Sequence, residues 1–252
     1  MQQVNVFYIG LSHLSIPRKT PEEKRKALSS EARRILGAFD QGISDRDIPI
    51  ARASGGRPYF TDFHADFNIS HSRNMAALAF SRAGSLSPRS GQKGRVLRVG
   101  CDIQYVNPHK NHVTITERFF SGAERDYIAA GSGENRRFCM IWALKECWLK
   151  LRGLSVFDMA KAPIFYVEST PRKRSPEESP PADFHLYELE GEGERYMLAA
   201  ARERAYDESA AFPRDSVPPP LLRWFSGTTL RVSSIDEIYA VLSPEKTAMP
   251  KS

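Results

Sequence analysis

The residues with the most evident chemical potential lie in one segment of helical composition, residues 134–152. At about 100° per residue, four side chains fall within about 140° of arc, opposite an apolar stripe: Trp142, Lys145, Glu146 and Lys150. A carboxylate between two ammonium groups could bind a metal ion while the lysines hold phosphate. The same spacing also suits a solvent-exposed face with a Glu146–Lys150 pair worth about 0.3–0.5 kcal/mol. This segment alone does not decide between the two.

A second candidate is an acidic residue in an otherwise apolar, strand-like run, residues 99–104. In a strand Asp102 and Gln104 would point to the same face. An unpaired carboxylate is costly to bury. Asp102 is therefore expected to be paired, exposed at the strand end, or bound to a metal.

Two further segments could contact an anion. Residues 67–72 place two hydroxyls around an imidazole, so Ser70 and His71 could bind one together with backbone N–H groups. A structural histidine is the alternative. A Ser–His nucleophile is disfavoured, because adjacent residues of an extended chain point in opposite directions and no GxSxG motif is present. Residues 55–60 form a Gly-Gly turn before Arg57, which by itself predicts only a turn.

Net charge narrows the classes of partner. The 252 residues carry 36 Lys and Arg against 30 Asp and Glu, a formal net charge of +6. Such a surplus favours anionic partners but does not choose among nucleic acid, anionic membrane, a phosphorylated cofactor and an acidic protein. The sequence has no recognition motif for nucleic acid, so we expect no such partner.

Cysteine usage and hydropathy predict the compartment. The three cysteines form no CxxC pair, which argues against a disulfide framework and a zinc site. The first residues lack the pattern of a secretory signal. The longest apolar run is too short to span a membrane. We therefore expect a cytoplasmic protein without membrane association.

Patterning predicts an α+β chain of two mixed lobes, residues 1–113 and 114–222, followed by a tail, residues 223–252. Helices are expected at 22–39, 116–120, 123–130 (with Ser121 as its N-cap) and 134–152, the last ending at Gly153. Strands are expected at 4–11, 49–53, 67–70, 75–81, 95–106, 163–167, 184–189 and 195–201. A loop is expected at 170–183, and a short helix in the tail at 235–242.

Each motif alone is weak evidence for a function, but the set of motifs in this order is specific for a protein family. Together they resemble the phosphopantetheinyl transferase family, in particular its long Sfp-type branch. The matching segments are 56–58, 68–72, 99–103, 119–120 with Glu124, and 142–147 with Lys150.

The resemblance implies a fold and a reaction. Family members fold as two similar α/β lobes related by a pseudo-twofold axis, with coenzyme A and Mg²⁺ in the cleft between them. The implied reaction moves 4′-phosphopantetheine from coenzyme A to a serine of an apo acyl or peptidyl carrier protein and releases 3′,5′-ADP. A monomer is the family-like expectation. Which carrier is modified does not follow from the sequence.

The resemblance also assigns roles to residues. Asp102 and Glu146 would ligate Mg²⁺, with Glu146 also the base, alone or through a metal-bound water. Lys150 would bind pyrophosphate and stabilise or protonate the leaving oxygen. The remaining candidates would hold the phosphates and adenine of coenzyme A: Arg57, Ser70, His71 and Lys145, with Arg34 at the 3′-phosphate.

One position departs from the family pattern. Many Sfp-type members carry a second acid two residues after the first, where this chain has Gln104. An amide oxygen can still ligate Mg²⁺ but adds no charge, so we expect weaker metal binding. The alternative is a catalytically inactive homologue that binds coenzyme A or a carrier protein, and only Gln104 supports it.

Overall fold

The computed structural model describes residues 6–14, 20–40, 49–53, 56–61, 63–82, 96–109, 111–168, 182–191, 193–204, 220–226, 231–235 and 238–241. Their helices are α1 Pro21–Phe39, α2 Val113–Phe119, α3 Gly122–Ala129 and α4 Glu134–Arg152, with a 3₁₀ helix at Val156–Lys161. Their strands are β1 Val6–His13, β2 Ile50–Arg52, β3 Pro58–Phe60, β4 Ala65–Ser72, β5 Met75–Arg82, β6 Val99–Tyr105, β7 Ile164–Val167, β8 Asp183–Gly191, β9 Glu194–Arg202, β10 Leu221–Ser226, β11 Arg231–Ile235 and β12 Ile238–Val241. The predicted α+β class is confirmed.

Local sequence signals set several helix ends. Thr20 and Glu23 form a capping box at the start of α1, and Ser121 and Glu124 form one at the start of α3, which confirms the predicted N-cap. Gly153 ends α4 with a φ of 71°, as predicted. Within the described ranges, none of the helices combines the length and the hydrophobicity that crossing a membrane requires.

Two four-stranded sheets pack against each other. The first has the strand order β10-β1-β5-β4 and the second the order β11-β8-β9-β6. Their facing sides form one apolar cluster, which includes Ile9 of the first sheet and Leu198 of the second. Helix α1 covers the outer side of the first sheet, where Leu36 packs near Phe80. Helix α4 covers the outer side of the second.

Side chains join the edges of the two sheets. Alternate residues of β4 accept hydrogen bonds from alternate backbone N–H groups of β6: Asp66 from Val99 (2.8 Å), Asn68 from Cys101 (3.1 Å), Ser70 from Ile103 (3.3 Å) and Ser72 from Tyr105 (2.9 Å). Because side chains alternate along a strand, the intervening residues of β4 face α1 instead. This ladder fixes the register of β6 against β4.

The structure corrects the prediction for the tail. Within 235–242 the described residues, 235 and 238–241, lie in strands and not in a helix: β11 pairs antiparallel with β8, and β12 pairs antiparallel with β7. These pairings satisfy backbone groups of β8 and β7 that a tail helix would leave open. Each element predicted between residues 4 and 201 overlaps an observed one. The predicted loop at 170–183 lies outside the described residues except for its end.

Strand pairing crosses both of the expected domain boundaries. Strand β6 precedes residue 113 but pairs with β9 of the second sheet. Strand β10 spans residue 222 and pairs parallel with β1 of the first sheet. The division at these two residues stays a prediction.

Candidate active site

A buried carboxylate lies at the centre of the site, where β4, β6 and α4 meet. Asp102 is only 2% exposed. Its Oδ1 accepts hydrogen bonds from Ser70 Oγ (2.7 Å) and Lys150 Nζ (2.5 Å), and Lys150 Nζ also lies 3.0 Å from Ser70 Oγ. Although burial opposes its charged form, the Asp102 carboxylate holds the pKa of Lys150 above its ordinary value. Asp102 is therefore a paired acid, which is one of the states expected of it.

A second carboxylate faces this centre from α4. Glu146 lies one helical turn before Lys150 and is half-buried. Burial and the negative charge of Asp102 raise the pKa of Glu146, and Lys150 partly offsets them. The two carboxylates therefore repel each other, so a cation between them would lower the electrostatic energy of the site.

The third expected metal ligand contacts the first. Gln104 Nε2 donates to Asp102 Oδ2 at 2.6 Å. The carbonyl oxygen of the Gln104 side chain takes no part in this hydrogen bond, and it could ligate a cation. The structure thus brings together the three residues expected at the metal, Asp102, Gln104 and Glu146.

The donor set fits a hard divalent cation with few protein ligands. Within the described ranges, no three His, Cys, Asp or Glu side chains gather into a metal site. Mg²⁺ commonly takes one or two protein carboxylates and completes its shell with waters and substrate phosphates. Two carboxylates and an amide match that preference, and they do not match a metal that needs a complete protein cage.

A glycine allows α4 to lie directly on β6. A Cβ atom added at Gly100 would be 2.4 Å from Cys147 O and 2.9 Å from Leu151 N. Only a residue without a side chain fits at this distance. The close contact sets Glu146 and Lys150 beside Asp102, two residues along β6 from Gly100.

Arg57 is buried among protein groups. Its guanidinium donates to Lys150 O, to Asp66 Oδ2 (2.5 Å) and to Val99 O (2.8 Å), and its side chain is 9% exposed. It therefore joins the β3 region to β4, β6 and the end of α4. This position does not support the expected contact of Arg57 with a phosphate or adenine.

Lys145 faces away from this centre. Its Nζ lies 3.0 Å from Glu124 Oε1, and both side chains are buried. Lys145 was expected on the polar face with Glu146, but α3 and β7 cover its side of α4. The expected phosphate contact of Lys145 is not supported by this position.

A basic pocket of about 520 Å³ lies on the other side of β4, between α1 and the β2–β3 hairpin. Its lining combines basic side chains with an apolar floor that includes Leu28, Ile50, Phe67 and Ile69. The basic residues are Lys24, Arg33, Arg52 and His71. Burial lowers the pKa of His71, and the charges of Lys150 and Lys24 lower it further.

Ser70 and His71 connect the two regions. Consecutive residues of β4 point to opposite faces, so Ser70 contacts Asp102 while His71 lines the basic pocket. The motif around His71 thus contributes both to the β6 ladder and to the pocket. The sequence indicated both residues as candidates but not that they face different sides of β4.

On α1 the pocket is lined by the neighbour of the predicted residue, Arg34. Arg34 is half-exposed and donates to Glu31 at 3.0 and 2.5 Å, whereas Arg33 lines the pocket. Lys24 and Arg52, which also line the pocket, were not among the candidate residues. The helical spacing of Lys24, Leu28 and Ala32 could have indicated this face of α1.

Comparison with known proteins finds similarity over the region that holds Asp102, Glu146 and Lys150. Residues 98–201 match the sequence profile of the 4′-phosphopantetheinyl transferase superfamily. The 4′-phosphopantetheinyl transferase HetI of a Nostoc species is 25% identical over 161 residues, 61% of this chain and 62% of that protein.

Two other curated relatives carry similar names. The 4′-phosphopantetheinyl transferase pptA of Paxillus involutus is 26% identical over 173 residues, 64% of this chain and 65% of the relative. The 4′-phosphopantetheinyl transferase AcpT of Salmonella typhi is 32% identical over 95 residues, 37% of this chain and 43% of the relative. The chain spans less than two thirds of the length of each of these relatives.

Proposed function

Because residues 98–201 match the sequence profile of the 4′-phosphopantetheinyl transferase superfamily, we propose that this chain transfers 4′-phosphopantetheine from coenzyme A to a serine of an apo carrier protein. The observation that carries the proposal is the meeting of Asp102 on β6 with Glu146 and Lys150 on α4. Two carboxylates and an ammonium group suit a reaction at a metal-bound pyrophosphate.

The reaction exchanges one phosphorus–oxygen bond for another. The serine oxygen attacks the phosphorus that carries the pantetheine arm, and the bond from this phosphorus to the bridging oxygen breaks, so 3′,5′-ADP leaves. Glu146, alone or through a metal-bound water, accepts the serine proton. The ammonium of Lys150 stabilises the negative charge on the leaving oxygen.

Mg²⁺ is the cation that we propose for the site. Asp102, Glu146 and the amide oxygen of Gln104 would hold it, and when bound it would neutralise charge on the pyrophosphate. The ammonium of Lys150 also supplies positive charge beside Asp102. Gln104 contributes no charge, so we expect a higher Mg²⁺ requirement than an acid at this position would give.

The nucleotide of coenzyme A fits the basic pocket on α1. Its volume of about 520 Å³ lies in the range of small-molecule sites. Lys24, Arg33 and Arg52 can contact the phosphates, and the apolar floor can hold the adenine ring. His71 lines the pocket from β4, and its neighbour Ser70 contacts the metal-binding carboxylate. The pyrophosphate would therefore pass the edge of β4 between the two regions.

Intact-mass analysis of carrier proteins tests the proposal. Purified protein is incubated with coenzyme A, Mg²⁺ and an apo carrier of either the fatty-acid or the peptidyl type. We expect the carrier to gain one phosphopantetheine, and we expect EDTA or Glu146→Ala to abolish the gain. Glu134→Ala, in the exposed first turn of the same helix, is the matched control and should remain active.

A second outcome would favour the inactive homologue. If the folded protein binds 3′,5′-ADP but modifies neither carrier, the chain is a binding protein rather than an enzyme. The observation behind this alternative is Gln104, the neutral member of the metal set.

We also propose the two-lobed arrangement of the Sfp-type branch. It is supported by the two four-stranded sheets, each covered on its outer side by a 19-residue helix. The monomeric state and the cytoplasmic location stay predictions.

A further inference from the structure

Helix α4 carries an ion pair that is buried beside the proposed metal ligand. Lys145 is 3% exposed and Glu124 is fully buried, and their charged atoms are 3.0 Å apart. Lys145 Nζ also donates to Pro163 O at 3.3 Å. Two charges in the interior are costly to desolvate and are retained only with close partners. This pair therefore holds Lys145 in one place.

Glu124 connects three elements through its two oxygens. Oε1 accepts from Phe165 N of β7 at 3.0 Å as well as from Lys145 of α4. Oε2 accepts from Ser121 N at 2.9 Å, in the capping box of α3. The carboxylate thus joins the start of α3, strand β7 and the middle of α4. Movement of any one of these elements would break a buried hydrogen bond.

The pair acts on the rotation of α4 about its own axis. Lys145 and Glu146 are adjacent, so their side chains leave the helix about 100° apart. A helix held by Lys145 on the α3 side must direct Glu146 toward Asp102. Gly100 limits the distance of α4 from β6 but does not by itself fix this rotation.

We propose that Glu124 and Lys145 are positioning residues that hold Glu146 at the metal, and that neither contacts coenzyme A. The inference rests on the proposed function, because the group being positioned is the metal ligand of that reaction. It differs from the expectation based on sequence, in which Lys145 binds phosphate. The two assignments predict different defects when the pair is removed.

The test compares metal binding with nucleotide binding. The variant Glu124→Gln/Lys145→Met removes both charges together and leaves neither partner buried alone. Calorimetry with 3′,5′-ADP in EDTA reports nucleotide affinity without metal. Titration of Mg²⁺ in the transfer assay reports the metal requirement, and thermal denaturation reports folding.

A second ion pair on α4 provides the matched control. Arg136 Nη2 lies 2.7 Å from Glu188 Oε2 and joins the first turn of the helix to β8. Arg136 is ten residues before Glu146, about 15 Å along the helix axis. The variant Arg136→Met/Glu188→Gln also removes a link between α4 and its surroundings, but not the one beside the metal. Its Mg²⁺ requirement should equal that of the wild type.

We expect the Glu124→Gln/Lys145→Met variant to change the Mg²⁺ requirement and to leave the affinity for 3′,5′-ADP unchanged. Supporting groups around a metal ligand commonly change metal affinity about 10–100-fold, so the Glu124→Gln/Lys145→Met variant should need about tenfold more Mg²⁺. Its 3′,5′-ADP affinity should be unchanged. A wild-type Mg²⁺ requirement in this variant overturns the proposal, and so does a loss of nucleotide affinity, which would show that Lys145 binds phosphate.

A milder variant covers the case in which the double variant does not fold. Glu124→Asp keeps both charges but shortens the link by one methylene, so it should fold and still raise the Mg²⁺ requirement by about threefold or more. An unchanged requirement there also overturns the proposal. Failure of the wild-type protein to modify any carrier would instead contradict the proposed function.

Discussion

The contact of Gly100 with α4 makes a quantitative prediction. In Gly100→Ala the new Cβ would lie 2.4 Å from Cys147 O and 2.9 Å from Leu151 N. Both are backbone atoms within a helix, so no side-chain rotation can relieve the clash. To reach a tolerable 3.0–3.4 Å from Cys147 O, helix and strand must separate by about 0.6–1.0 Å. Overpacking of this kind costs about 1–3 kcal/mol of unfolding free energy.

The same displacement of α4 from β6 would move Lys150 and Glu146 away from Asp102. Lys150 Nζ is 2.5 Å from Asp102 Oδ1, and Glu146 lies on the same helix. A misplacement of about 1 Å between catalytic groups can cost about 10²-fold in rate. We therefore expect Gly100→Ala to fold, with a lower unfolding midpoint in urea and a transfer rate reduced by about two orders of magnitude.

A second glycine provides the control. The nearest atom to a Cβ added at Gly122 is 4.0 Å away, at the end of the Arg125 side chain. Gly122→Ala should therefore keep both stability and transfer rate. The reasoning is refuted if Gly100→Ala matches Gly122→Ala in both urea denaturation and intact-mass kinetics.

Three further predictions concern single side chains. Arg57→Met should lower the unfolding free energy by about 3–5 kcal/mol, measured by urea denaturation, because Asp66 would be buried without its partner; a loss below 1 kcal/mol would contradict this. Lys24→Ala or Arg52→Ala should weaken 3′,5′-ADP binding about tenfold in calorimetry and leave the Mg²⁺ requirement unchanged. Unchanged nucleotide affinity in both variants would place the nucleotide elsewhere. Gln104→Glu should lower the Mg²⁺ concentration at half-maximal transfer, because a carboxylate replaces an amide; an equal or higher concentration would argue against Gln104 as a ligand.

Local sequence signals were sufficient for the elements that carry the site. The 3.6-residue period and Gly153 predicted α4 with its correct ends, and Ser121 with Glu124 predicted the start of α3. The cost of burying an unpaired carboxylate limited Asp102 to three states, paired, exposed at the strand end or bound to a metal, before any partner was known. These features depend on neighbouring residues in the chain, and the sequence displays such residues directly.

The partners of the charged residues were not predictable in this way. Lys145 and Lys150 lie on the same helix with similar flanking residues, yet one pairs with Glu124 and the other with Asp102. Which side of α4 faces α3 and which faces β6 is set by tertiary packing. A helical wheel gives angles between side chains but not the surface that each side meets.

The β4 segment shows the same limit. Its alternating polar residues were interpreted as a possible anion site, because Ser70 and His71 carry suitable groups. In the structure Asn68 and Ser70 accept hydrogen bonds from the edge of β6, and His71 faces the pocket on α1. The period of two was visible in the sequence, but the presence of a second sheet edge beside it was not.

The sequence by itself therefore determined the α+β class, the long helix and the acidic and basic residues available for phosphate chemistry. Tertiary structure alone decided that Asp102 meets Lys150, that Lys145 is buried against Glu124, and that residues 238–241 pair with β7. The physical reason is the separation in sequence between the residues that interact. Helix periods and caps are set by hydrogen bonds over three or four residues, whereas these contacts join residues far apart in the chain, whose proximity only the packing of both sheets creates.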